Sequence, residues 1–293
     1  MTTTTTTIEQ AFLEQFSTNT QEAYEYELKR FFEFAGDKEP QDVDSLAVLD
    51  FRHHLTDSLK LKPASVNRAL NTVRSYYEWL IGEGKANVNP ARKVKQARTD
   101  HVNQMDVKWL SPVEVERLFL AVSGEKDQRK RVRDEAIISL MLLAGLRVSE
   151  VTDLAVEDVN LSRGQAVITV REGKGELWRT VPISDKLRKV LAAWLDVRMQ
   201  YKFAHGSPFL FVSRKAAKIS RFTLDQIITK YMEAVGITEH SCHSLRHTFA
   251  KRLAESNVRL EEIAKLCGHA SIQTTMIYTQ PGANELRDAV NRL

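Results

Sequence analysis

HSLRHTFAKRLAESNVRLEEIAKLCGHASIQTTMIY, residues 243 to 278, is the stretch on which the reading of this chain turns. It holds a His-x-x-Arg pair, a Gly-His pair and a tyrosine that closes a short polar helix. Residues three apart on a helix share a face, so His243 and Arg246 point at one target. A planar guanidinium fork beside an imidazole suits a phosphate group. Phe249, Leu253, Ile263 and Leu266 supply the apolar side of the same stretch, and His243, Arg246 and His269 stand out against them. Taken alone, the stretch predicts a phosphate site with Tyr278 nearby. A tyrosine packed into the core is an equally good account of Tyr278.

The residues upstream extend the pattern. Gln128 to Ala144 is apolar enough, through Ile137, Ile138, Leu140, Met141, Leu142 and Leu143, to form a helix buried nearly all round, and Gly145 ends it. Leu146-Arg147-Val148-Ser149-Glu150 follows immediately. An arginine just past a buried helix is held by its neighbours, as a catalytic arginine must be. A structural ion pair with Glu150 explains it as well. Val167 to Val170 and Trp178 to Pro182 are predicted strands, joined by a hairpin turn at Gly173-Lys174-Gly175-Glu176. Lys174 at its tip either reaches outward to a ligand or is a solvated charge. Ser111-Pro112-Val113-Glu114 is a helix start, and further helices are predicted over Asp185 to Met199 and Thr223 to Val235. Ala283, Leu286, Val290 and Leu293 mark a terminal helix too short to stand alone in water, which is expected to pack on its own domain or on a neighbouring subunit.

The first ninety residues read as helices. Tyr24, Leu28, Phe31, Phe32 and Ala35 recur at helical intervals, a second helix is predicted over Asp44 to Leu55, and Pro63 opens a long one to Ile81. Along that last helix Val66, Leu70, Val73, Tyr77 and Leu80 form an inward stripe. The opposite face carries Asn67, Arg68, Asn71, Arg74 and Ser75. Asn and Arg are well shaped for bidentate base contacts in a major groove, although a solvated face needs no such role. From Lys85 to Arg98 five basic residues, among them Lys93 and Lys95, surround Asn89-Pro90 with no acidic residue between them. This predicts an extended basic linker, able to lie along a phosphate backbone or to serve as a plain tether.

The totals agree with two domains. The chain has 293 residues, 43% hydrophobic and 27% charged, with net charge +4 and a pI of about 8.9, which permits nucleic acid as a partner without requiring it. Cys242 and Cys267 make no disulfide framework and fit a reducing compartment. No apolar run reaches the roughly 18 residues of a membrane span, and the threonine-rich start lacks the features of a signal peptide. The expectation is a cytoplasmic protein with no membrane association.

GLRVSE, the GKG hairpin, HSLRH, CGH and the final tyrosine, in that order, resemble the tyrosine recombinase (phage integrase) family, and in particular its two-domain, Xer-like group. The resemblance spans the whole second half and, more loosely, the helical first part. It implies a mainly α fold with a small antiparallel β-sheet (α+β). A helical, SAM-like DNA-binding domain over 1–88 would be followed by a basic linker over 89–107 and a catalytic domain over 108–293 with its tail helix. Tyr278 would be the nucleophile that forms a 3′-phosphotyrosyl bond with DNA. Arg147 and Arg246 would clamp the phosphate oxygens, and Lys174 would protonate the leaving 5′-oxygen. His243 would be base or proton shuttle near Tyr278, His269 a donor to the phosphate, and Glu150 a supporting acid. Asn67, Arg68, Asn71, Arg74, Lys93 and Lys95 would contact DNA. No metal or other cofactor is implied. The partners implied are double-stranded DNA, three further copies of the chain in a homotetramer on nucleoid DNA, and an accessory protein in some systems. Two positions depart from the family pattern: Cys267 stands where an aliphatic residue is usual, and Gln280 where a His is common. Three rival readings are a zinc site built from Cys242, His243, His247, Cys267 and His269, a noncatalytic DNA-binding protein, and a type IB topoisomerase. The missing C-x-x-C pair and the absence of a Glu between the histidines speak against zinc.

Overall fold

Small and aromatic side chains at helical spacing draw the first part of the chain into a helical cluster. The computed structural model describes residues 8–16, 18–36, 38–98, 107–171, 178–269, 271–279, 287 and 290–291. The chain divides into two units, Met1–Asn103 and Gln104–Leu293.

In the first unit, α1 (Ile8–Leu13), α2 (Thr18–Ala35), α3 (Ser45–His53) and α4 (Pro63–Gly82) surround a core rich in aromatic rings. Phe12 meets Tyr76 edge to face at 5.3 Å, and Phe31 meets Phe51 at 5.1 Å. Asp44 caps α3 by accepting from the Ala47 N–H, and a single wider turn over His54–Ser58 continues it. Pro63 opens α4, where a missing N–H costs nothing. Val66, Leu70, Val73, Tyr77 and Leu80 are all buried, as their spacing requires.

The expectation of an extended linker is corrected here. Ala86, Asn89, Ala91, Val94 and Ala97 are buried against α4, so residues 86–97 are part of this unit's core. The polar face of α4 holds them. Asn67 exchanges two hydrogen bonds with the Ala97 backbone, at 3.0 and 2.8 Å, and Arg74 donates to the carbonyls of Ala91 and Val94. Asn89 donates back to the Arg74 carbonyl. The lysines of the segment, Lys93 and Lys95, remain exposed.

The second unit begins with α5 (Pro112–Ser123), started by a capping box between Ser111 and Glu114. α6 (Gln128–Leu143) is buried on almost every side and packs against α5, against α8 (Asp185–Arg198) and against α10 (Cys242–Glu255). Short α7 (Val148–Asp153) follows the Gly145 turn. Strands β1 (Val159–Asn160), β2 (Val167–Arg171) and β3 (Trp178–Pro182) form an antiparallel sheet in that order, with Ile168 opposite Val181. The hairpin turn carrying Lys174 lies outside the described residues, as does most of the C-terminal segment predicted to be a helix. α9 (Arg221–Ala234) completes the main core, in which Trp194 stacks on Phe211 and donates to the Leu210 carbonyl. A smaller apolar cluster of Phe249, Ala250, Ile263, Cys267 and Tyr278 joins α10, α11 (Leu260–Cys267) and the turn Ile277–Thr279 that follows α12 (Gln273–Met276).

Candidate active site

Two glycines shape the backbone around this smaller cluster. Gly145 turns the chain with φ +65°, and a Cβ there would stand 2.3 Å from Cδ1 of Phe249. Gly268 closes α11 in the left-handed conformation at φ +64°, and a Cβ there would meet the Arg179 guanidinium at 2.7 Å. Any other residue at either place is both strained and crowded. The two turns present the carbonyls of Gly145, Cys267 and Gly268 to a common interior.

Three arginines converge there on one carboxylate. Glu150, on the first turn of α7, accepts from the Arg147 backbone N–H at 2.7 Å, which fixes the start of the helix. Its Oε1 also takes Arg147 Nη1 at 2.7 Å. Arg179 on β3 grips both oxygens, at 2.8 Å each, and its Nε donates to the Leu266 carbonyl at 3.1 Å. Arg246 stands 3.9 Å from the same carboxylate. Burial pushes the Glu150 carboxyl up, but its bonds to Arg179 and Arg147 outweigh that and hold it below the usual carboxylate range. The carboxylate is therefore ionised and anchors a cluster of positive charge.

The same arginines tie the turns together. Arg147 Nη2 donates to the Gly268 carbonyl at 2.5 Å, while Arg246 donates to the Gly145 carbonyl at 2.5 Å and to the Cys267 carbonyl. Arg246 is 2% exposed, whereas the Arg147 side chain retains about a third of its surface. Arg147 is thus the arginine with more of its guanidinium open to solvent.

Histidines and Tyr278 line one side of this cluster. His269 follows Gly268, its Nδ1 paired with Thr275 Oγ1 at 2.8 Å and its ring 6.3 Å from that of Tyr278. Burial, with the charges of Arg246, Arg147 and Arg179, lowers its pKa to about 4. Tyr278 is 1% exposed, and burial raises its phenol to about 12. The imidazole bonded to that phenol belongs to His247, with Nδ1 2.6 Å from the hydroxyl. His243, expected beside Tyr278, instead meets the His247 ring edge to face at 5.0 Å. Its pKa is lowered by burial and then by Arg246 and Arg147.

Arg147, Glu150, Arg246, His269 and Tyr278 therefore lie in one neighbourhood, and Lys174 lies outside the described residues. The DNA-contact candidates of α4 belong to the first unit. There Asn67 and Arg74 hold backbone, Asn71 accepts from Arg74 and Gln96, and Arg68 pairs with buried Glu27 at 3.0 Å. Sequence reasoning missed Arg179 and gave His247 no role beyond a rejected zinc ligand. Both left a trace. Arg179 falls on the inward side of β3 with Val181, and His247 lies one helical turn beyond His243. Among the described residues no group of three or more His, Cys, Asp or Glu is arranged to hold a metal ion, and no helix is long and apolar enough to cross a membrane.

Residues 108–285 match the phage integrase family, and residues 5–84 match the phage integrase N-terminal SAM-like domain. The chain belongs to the phage integrase family. Its activity within that family of tyrosine recombinases is site-specific recombination. The tyrosine recombinase XerC of Thermodesulfovibrio yellowstonii is 34% identical over 281 residues, which is 94% of this chain and 90% of that protein. A crystal structure of XerA recombinase is 26% identical, with a TM-score of 0.55 and 97% of each chain covered. A XerH recombinase bound to its palindromic difH substrate after cleavage is 20% identical and shares the fold, with a TM-score of 0.76 over 93% of this chain and 79% of that one. The mainly helical architecture with one small antiparallel sheet agrees with the expected fold class.

Proposed function

We propose that this recombinase cuts double-stranded DNA by attack of the Tyr278 phenolic oxygen on a backbone phosphorus. The new bond is a 3′-phosphotyrosyl ester, and the bond broken is that from phosphorus to the 5′-oxygen, which leaves as a hydroxyl. A phenol is a better leaving group than a sugar alkoxide, so a 5′-hydroxyl from a second duplex reverses the step. Strand exchange on this scheme proceeds through a Holliday junction and uses neither ATP nor a metal. The observation that carries the reading is the convergence of Arg147, Arg246 and His269 beside Tyr278. The arginines neutralise charge building on phosphorus, an effect for which one donor contributes about 10²–10³ in rate. In the tautomer of neutral His269 that accepts the Thr275 hydroxyl at Nδ1, the ring carries its proton on Nε2 and donates from there. Lys174 is assigned as the acid for the leaving 5′-oxygen, and Glu150 keeps Arg147 and Arg179 in place.

Tyr278→Phe tests the reading. The variant should bind target DNA as the parent does and form no covalent adduct; an adduct trapped with it sinks the assignment. Four copies acting on two sites, with the segment after Pro281 donated between subunits, complete the reading, and an accessory protein belongs to it only where tetramers fail to form alone. Sedimentation of the protein on two-site DNA counts the protomers, and a dimer on each isolated site with no larger species argues against it.

A further inference from the structure

We propose that His247, rather than the leading histidine of the His-x-x-Arg pair, takes the proton from Tyr278 as its oxygen attacks phosphorus. The proposal rests on Tyr278 being the nucleophile. His247 follows Arg246 on α10, so the helix that brings the buried guanidinium also brings this ring to the phenol. Its Nδ1 lies 2.6 Å from the tyrosine oxygen, with the rings 5.8 Å apart and tilted by 44°. Among the described residues this is the one side-chain hydrogen bond made by the phenol. Tyr278 is 1% exposed, so its proton must pass to a group already in contact.

The resting protonation states agree with this geometry. Burial raises the phenol to about 12, which keeps the proton on oxygen, and burial with the nearby His243, Arg246 and His269 lowers the His247 ring to about 4, which keeps the imidazole neutral. In the tautomer that carries its proton on Nε2, the ring accepts the phenolic O–H at Nδ1. A phosphate held by the arginines adds negative charge to the same pocket, and this raises the basicity of the ring when it is needed. As the bond from Tyr278 to phosphorus forms, its proton moves to Nδ1 of His247. The bond from phosphorus to the 5′-oxygen breaks, and that oxygen takes a proton from the acid assigned to Lys174. In the reverse step both protons return. His243 meets the His247 ring edge to face at 5.0 Å, whereas the phenol is bonded to His247.

A structural role for His247 predicts different behaviour, and His247→Asn separates the two. The asparagine amide oxygen still accepts the phenolic O–H but takes no proton. Adduct formation in a single turnover should fall by about 10²–10⁴-fold in both His247→Asn and His247→Ala, with DNA affinity unchanged. A substrate with sulfur in place of the bridging 5′-oxygen gives a leaving group that needs no proton. Lys174→Ala should recover on that substrate, whereas His247→Asn should remain slow. Near-parental cleavage by His247→Asn overturns the proposal, since the hydrogen bond alone then suffices. Recovery of His247→Asn on the sulfur substrate also overturns it, since the residue then serves the leaving group. Loss of DNA affinity in both variants makes the residue structural and overturns it too. Tyr278→Phe run in parallel tells failure of this assignment from failure of the nucleophile itself.

Discussion

Each unit of this recombinase buries a carboxylate in the grip of arginines, and the two clamps end differently. In the first unit Glu27, 1% exposed, is held by Arg30 and Arg68, and the Arg68 side chain is 60% exposed. In the second unit Glu150 is held by Arg147 and Arg179 with Arg246 close by, and all three arginines run on to the carbonyls of turns that carry His269 and adjoin Tyr278. A buried carboxylate clamp is thus a structural device in both places. What turns one of them into a site is what its arginines reach on their far side.

Substituting the two carboxylates tests that contrast. Glu150→Gln leaves Arg246 and Arg179 buried without their counter-charge, and it should lower unfolding stability by about 3–5 kcal/mol. Glu27→Gln leaves Arg68 free to turn into water, and its cost should stay within about 1.5–3 kcal/mol. Denaturant midpoints of the two variants decide it, and equal losses break the distinction. A smaller effect is expected on the polar face of α4. Asn67→Ala strands the Ala97 N–H and carbonyl and should cost about 1–3 kcal/mol. Replacing exposed Lys93 and Lys95 by alanine should leave the midpoint unmoved while weakening DNA binding and flattening its dependence on salt. If Asn67→Ala weakens binding with no loss of stability, this face reads DNA rather than holding residues 86–97.

Much of this was visible in the sequence, for a physical reason. The spacing of Val66, Leu70, Val73, Tyr77 and Leu80 dictates a buried stripe, and the apolar run from Ile137 to Leu143 can only be an interior helix. The alternation in β3 gives its strand, with bounds at Trp178 and Pro182 as expected. Residues 86–97 escaped because alanines scattered among lysines have no period, and what holds them is a set of hydrogen bonds from side chains 17 to 30 positions away. The identity of the histidine at Tyr278 escaped for a similar reason. His243 and His247 share a helical face, so spacing cannot rank them, and only the return of the chain at Tyr278 does. Arg179 was hidden because a charge on a short strand ordinarily faces water, and its ligand Glu150 lies 29 residues earlier.

The contact between Gly145 and Phe249 carries a genetic consequence. The turn before Arg147 and the helix that bears Arg246 share one pocket of space, filled from one side by an aromatic ring and left empty on the other. A lesion at 145 should therefore be partly suppressed by a smaller side chain at 249, and a screen for revertants of Gly145→Ala should return that second position. The suppression stays partial, because shrinking the ring restores room but not the left-handed backbone.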